Sequence, residues 1–205
     1  MTGAFAGGSA VVDLPRRAVD LGANAPNRFP DAKSSEGGLP PFSRDVHHEV
    51  ELVVLIGMEG KDIPRAEAMD YVIGYAVGLD LTARDLQNEA KAKGLPWTIC
   101  KGFDGSASLS RFIRATAVPD PHRLELGLRV NDTQRQRSGT GLMIFSVADL
   151  IAYLSTIFTL RSGDLIYTGT PEGVGPLLPG DRLELALGPA GSDPAGPEAL
   201  IREIG

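Results

Sequence analysis

Between Val46 and Gly57 the chain reads Val-His-His-Glu-Val-Glu-Leu-Val-Val-Leu-Ile-Gly, a β-branched apolar run that ends on glycine and predicts a well-buried strand. A second apolar run from Tyr71 to Leu81 predicts another strand. In the stretch between them, Ile63 to Tyr71, Pro64 sits where the first turn of a helix accepts proline. Thr82-Ala83-Arg84-Asp85 has the form of a capping box with Asp in place of the usual Glu. It predicts a helix through Lys93 that Gly94 and Pro96 stop. Leu124, Leu126, Leu128 and Val130 alternate with more polar residues up to Asn131-Asp132, and the chain resumes through Gln134 and Gln136 as in a hairpin. An amphipathic helix fits Ser146 to Thr156. Gly163 to Gly175 reads as a strand entering a glycine-rich turn, and an alternating strand from Arg182 to Leu187 follows Gly180-Asp181. The pattern is that of a strand-rich α+β fold with a few helices, and it shows no repeat of solenoid period.

Residues 1–44 are rich in Gly, Ala, Pro, Ser and Asp and lack sustained periodicity beyond Ala10-Val11-Val12. They are expected to form an irregular N-terminal segment ahead of a domain spanning residues 45–205. The 25 Gly and 15 Pro residues make up about a fifth of the 205 residues, so many turns are expected. With 26 acidic against 20 basic residues the formal charge is -6, which leaves no basic face for nucleic acid or an anionic membrane. No apolar run approaches the roughly 20 residues of a membrane span, and the N-terminus lacks a basic n-region, so a cytoplasmic protein is expected. Cys100 is the only cysteine, which rules out an internal disulfide and the paired cysteines of a zinc ribbon.

Three acids break the apolar pattern. On a strand Glu49 and Glu51 face one side with Val53 and Leu55, while Val50 and Leu52 face the other. Asp80 ends the otherwise uncharged run that begins at Tyr71. Two carboxylates on an apolar face are costly, because like charge and loss of water both oppose ionisation. A hard cation relieves both costs, and an all-oxygen set suits Mg2+ or Mn2+ better than zinc. The alternative is a solvated edge strand carrying Glu49 and Glu51, with Asp80 helping to begin a helix.

His47-His48-Glu49-Val50-Glu51-Leu52 and Leu79-Asp80-Leu81-Thr82-Ala83-Arg84-Asp85-Leu86-Gln87 together resemble the signature of the fumarylacetoacetate hydrolase family. Gly94-Leu95-Pro96-Trp97, Lys101-Gly102-Phe103-Asp104 and Tyr167 to Gly175 continue the resemblance in the same order, over roughly Val46 to Leu187. It is nearest to the small acylpyruvase and oxaloacetate-tautomerase branch. The resemblance implies a mixed β-sandwich roll with peripheral helices, a metal held by Glu49, Glu51 and Asp80, and a homodimer. It further implies substrate-site roles for Arg84, Gln87, Lys101 and Thr170, with Lys101 and Gln87 in the catalytic machinery. Each has a plainer alternative: exposed helix formers or ion-pair partners for Arg84 and Gln87, a surface lysine for Lys101, a turn support for Thr170. Cys100 reads as small buried packing and His48 as a donor behind the first acid or a histidine satisfied within the fold.

The resemblance implies a metal-dependent hydrolase that cleaves a C–C bond in an acylpyruvate-type 2,4-diketo acid of the fumarylpyruvate or acetylpyruvate class. Such hydrolysis requires a general base for water. In hydrolytic relatives this is a His and a Glu within a Gly-x-Asn-Tyr-x-x-His-x-x-Glu stretch, of which Gly22-Ala23-Asn24 is the nearest echo here. The alternative activities are oxaloacetate tautomerisation or decarboxylation and 2-hydroxy-dienoate isomerisation. A second alternative is an inactive family member that keeps the metal site.

Overall fold

The computed structural model describes residues 11–12, 39–191 and 200–204. Most of the segment 1–44, including Gly22-Ala23-Asn24, lies outside the described residues. In chain order the strands are β1 (Val11–Val12), β2 (Val46–His48), β3 (Val50–Ile56), β4 (Val72–Asp80), β5 (Thr82–Ala83), β6 (Ala107–Leu109) and β7 (Ile113–Arg114). They continue as β8 (Leu124–Val130), β9 (Thr133–Gly139), β10 (Leu165–Tyr167), β11 (Gly175–Pro176), β12 (Arg182–Pro189) and β13 (Leu200–Glu203). The helices are α1 (Arg84–Lys93), α2 (Thr98–Lys101) and α3 (Val147–Ile157). Among the described residues no helix is long and apolar enough to cross a membrane.

The strands form three sheets, and every described pairing is antiparallel. One runs β1-β10-β3-β4-β6 with β7 also on β4, the second β11-β2-β5, and the third β13-β12-β8-β9. β3 is central in the first sheet, and all seven of its residues are buried. Its alternation sorts them as expected: Val50, Leu52, Val54 and Ile56 join the main core, while Val53 and Leu55 pack with Ala76, Leu165 and Tyr167 on the opposite face. The main core is closed by the alternating leucines of β8 and by Leu183, Leu185 and Leu187 of β12, so the first and third sheets stack as a sandwich. Val147, Ile151 and Leu154 of α3 pack into the same core. Ser146 and Asp149 form a full capping box at the start of that helix. The β8–β9 hairpin turns through Asn131 (φ 49°) and Asp132 (φ 64°), the left-handed pair that matches strand twist.

Three local expectations are corrected. The strand expected from Val46 to Gly57 is broken at Glu49, because β2 pairs with β5 and β11 whereas β3 pairs with β4 and β10. The segment Ile63 to Tyr71 yields only a 3-10 turn at Ala68–Tyr71. Thr82 does not cap α1: Ala83 holds that position without a side-chain bond, and the Asp85 carboxylate instead accepts from Ser43 Oγ and the Arg44 amide. The cap is displaced because Thr82 is paired in β5 with His47, and the Arg84 amide bonds Asp45 O. The helix does stop at Gly94, in the left-handed conformation.

Candidate metal centre

The joint at Glu49, where the chain passes from one sheet to another, is also where the acids meet. Asp80 closes β4 beside it, and its amide donates to Glu49 O at 2.9 Å. Glu51 follows on β3 opposite Gly78, and the turn after β10 delivers the Gly169 amide to Glu51 Oε2 at 2.7 Å. Gly169 has φ 98°, a conformation that suits glycine. Gly78 leaves room here as well, since a Cβ would lie 2.4 Å from Val53 Cγ2 and 2.7 Å from Tyr167 Cε1. One carboxylate oxygen from each of Glu49, Glu51 and Asp80 lies within 4.8 Å of the others, and all three residues are buried. The solvated edge-strand alternative is thereby excluded.

Two cations stand against the trio. Lys101, at the end of α2, donates from Nζ to Glu49 Oε2 at 2.7 Å and Asp80 Oδ2 at 2.6 Å. Arg84, at the start of α1, donates to Glu49 Oε1 at 2.6 Å and to Gln87 Oε1 at 2.6 Å. Burial opposes ionisation of Glu49, but Lys101 and Arg84 outweigh it and hold its carboxyl below the ordinary range. Among the described residues no cation bonds Glu51. Burial, reinforced by the charge of Asp80, pushes it up to about 8. Burial also raises Asp80, to about 6, against the pull of Lys101. Burial works against the Lys101 ammonium too, yet Asp80 and Glu49 raise its pKa, so it stays protonated. Three buried carboxylates with two of them driven toward the neutral form are a site short of positive charge. The donor set is all oxygen, which fits Mg2+ or Mn2+.

The positions singled out in the sequence converge here. Gln87 is 3% exposed; its Oε1 accepts from Arg84, and its amide nitrogen has no hydrogen bond among the described residues. Neither Arg84 nor Lys101 is a free surface cation. Thr170 does support the turn, donating to Val50 O at 2.8 Å while accepting from Gln136 Nε2 at 2.8 Å. Cys100 is buried against Trp97 O. His48 Nδ1 meets Gln136 Oε1 at 2.9 Å, His47 Nε2 meets Asp45 Oδ1 at 2.9 Å, and His122 Nε2 accepts from the Val147 amide at 3.3 Å. Sequence reasoning passed over Gln136, the one buried residue of β9, because nothing distinguishes it from its polar neighbours Gln134, Arg135 and Arg137. It also missed α2, whose four residues are too few for a periodicity.

Comparison with known proteins agrees with this geometry. Residues 23–196 match the model of the family described as fumarylacetoacetate (FAA) hydrolase C-terminal. Over 149 residues, 73% of this chain, the sequence is 53% identical to mouse (Mus musculus) "Oxaloacetate tautomerase FAHD1, mitochondrial", covering 67% of that protein. The crystal structure of fumarylpyruvate hydrolase from Pseudomonas aeruginosa in complex with Mn2+ and pyruvate is similar at a TM-score of 0.77. It is 42% identical, over 83% of this chain and 70% of that one. The 5-carboxymethyl-2-hydroxymuconate delta-isomerase from Mycobacterium smegmatis is similar at 0.73 and 36% identity, over 83% of this chain and 63% of that one. With its family motifs gathered around one buried acid trio, the chain belongs to the fumarylacetoacetate hydrolase family.

Proposed function

We propose that this protein is a divalent-metal-dependent enzyme that interconverts the enol and keto forms of a small 2-keto acid, with oxaloacetate as the first substrate to test. The observation that carries the reading is Lys101, a protonated amine held between Glu49 and Asp80 at the edge of the acid trio. Glu49, Glu51 and Asp80 are the residues that would hold Mg2+ or Mn2+. When bound, such an ion supplies Lewis-acid stabilisation of negative charge on a keto oxygen. Lys101 adds a positive charge for a carboxylate or a developing enolate. Arg84 holds Glu49 and orients Gln87 through its Oε1, which turns the amide nitrogen, unbonded among the described residues, to serve a substrate oxygen. Enol–keto exchange needs this stabilised charge and a proton shuttle, whereas hydrolysis also needs an activated water. His48 meets Gln136, His122 meets the α3 amide, and His47 meets Asp45 through Nε2 while its Nδ1 has no partner among the described residues. The 53% identity to a protein named oxaloacetate tautomerase supports the same reading.

A second reading, hydrolysis of an acylpyruvate-type 2,4-diketo acid, is favoured by the similarity to fumarylpyruvate hydrolase. One experiment separates them: the Mg2+-loaded protein is incubated with enol-oxaloacetate, acetylpyruvate and fumarylpyruvate. Faster decay of the enol absorbance without cleavage supports exchange. Release of pyruvate with the second acid transfers the assignment to hydrolysis, and metal binding without either activity identifies an inactive family member. The proposal includes the homodimer that the family resemblance implies, which sedimentation measures directly.

A further inference from the structure

Gln136 is 1% exposed on a strand whose other side chains face outward or are half-buried. From β9 it reaches both flanks of Glu49 and the glycine turn that carries Thr170. Its amide makes four hydrogen bonds. Oε1 accepts from His48 Nδ1 at 2.9 Å and the Val50 amide at 3.1 Å, and Nε2 donates to Thr170 Oγ1 at 2.8 Å and Pro171 O at 2.9 Å. The main-chain partners fix which end is which. A backbone N–H only donates, so the atom facing Val50 is the oxygen; a carbonyl only accepts, so the atom facing Pro171 is the nitrogen. Two lone pairs and two protons are thus all used.

This settles where neighbouring protons lie. Oε1 has no proton to give, so His48 carries one on Nδ1. Nε2 has no lone pair to offer, so Thr170 Oγ1 accepts from it. The single hydroxyl proton of Thr170 then goes to Val50 O, 2.8 Å away, which can only accept. Among the described residues one lone pair remains on Thr170 Oγ1, next in sequence to the Gly169 amide that holds Glu51.

We propose that Gln136 is a positioning residue of this site that fixes Thr170 as a hydrogen-bond acceptor, matched to the O–H of an enol and not to a keto oxygen or a carboxylate. The substrate half of the proposal rests on the enol–keto reading above; the proton placement does not. The test pairs a spectroscopic signature with kinetics. In protein labelled with 15N-histidine, at a pH where the imidazole is neutral, His48 is expected to show its proton on Nδ1, and Gln136→Met is expected to lose that preference. Gln136→Glu keeps an acceptor for His48 and Val50 but no donor for Thr170, so it retains the His48 signature. With Mg2+ and enol-oxaloacetate, Gln136→Met, Gln136→Glu and Thr170→Val are each expected to lose at least about tenfold in kcat/KM. Combining Gln136→Met with Thr170→Val should cost no more than the worse single change, the non-additivity of one pathway. His48 protonated only on Nε2 in the unaltered protein overturns the proposal. So does a folded Gln136→Met with unchanged kcat/KM, or strict additivity with Thr170→Val. Absence of turnover in the unaltered protein sinks the enol–keto reading instead, and the His48 signature then decides the proton placement alone.

Discussion

Replacing Glu51 by Gln tests whether the acid trio exists to hold a metal. In the metal-free protein burial and the charge of Asp80 push the Glu51 carboxyl up to about 8, against an ordinary 4.5. Because the folded value lies above the unfolded one, the fold keeps a proton that the unfolded chain has already released between about pH 4.5 and 8. Metal-free protein therefore loses stability as pH climbs through that window. At about 1.4 kcal/mol for each pH unit, the loss attributable to Glu51 reaches about 5 kcal/mol at most. Gln has no proton to lose, and its side-chain oxygen can accept the same Gly169 amide. A chain of this size shifts its melting temperature by about 2–4 °C per kcal/mol, so metal-free Glu51→Gln should gain on the unaltered protein by about 10–20 °C near pH 9 and by little near pH 4. Metal acts in the opposite direction. An ion at a hundred times its Kd stabilises by about 2.7 kcal/mol, or roughly 5–11 °C, which the unaltered protein should show and Glu51→Gln should lack. Differential scanning fluorimetry of both proteins across pH, with and without Mg2+ or Mn2+, reads both effects. The reasoning fails if Glu51→Gln keeps the metal-induced rise, or if it gains nothing over the unaltered metal-free protein as pH increases.

Lys101→Met removes both ion pairs to the trio and is expected to lower kcat/KM on enol-oxaloacetate by about 10²–10³ while the metal-induced rise in melting temperature persists, in initial-rate and thermal assays. Gly78→Ala forces a Cβ against Val53 and Tyr167, and an overpacking cost of about 1–3 kcal/mol should appear in a urea titration as a lower midpoint. Ser146→Ala removes the α3 cap and should cost about 1 kcal/mol in the same titration. The Asp149 carboxyl is held down to about 2 by Arg65 and then Ser146, so its contribution is present above the ordinary 3.8 and is lost as pH falls toward 2. Asp149→Asn should therefore flatten the loss of melting temperature between pH 4 and 2.

What the sequence made legible was local in origin. β3 and β8 follow from β-branched or alternating apolar residues, and α3 from the amphipathic spacing of its own residues. The acids were legible because they violate the pattern around them. The break at Glu49 was not, since it is imposed by a change of partner strands, and the same pairing takes Thr82 away from its expected cap. Long-range pairing overrides local propensity at both positions. Gln136 was hidden for the opposite reason: a buried polar residue within a polar strand leaves no irregularity in hydropathy.

Charge balance at the site depends on which residues are brought together as well as on their types. Counting Lys101 alone against three carboxylates, a divalent ion brings the site to neutrality and leaves no net attraction for an anionic substrate. Arg84, bonded to Glu49 Oε1, makes a second cation part of the same cluster. With both cations and a divalent ion, three carboxylates leave a single net positive charge, which the carboxylate of a 2-keto acid neutralises. Glu49 is thus tied to Lys101 by one oxygen and to Arg84 by the other. Loss of Arg84 would return the metal-loaded site to neutrality without removing any of the three acids. Its removal should therefore weaken anion binding more than metal binding, a division of labour that the spacing of Arg84 and Glu49 in the sequence does not reveal.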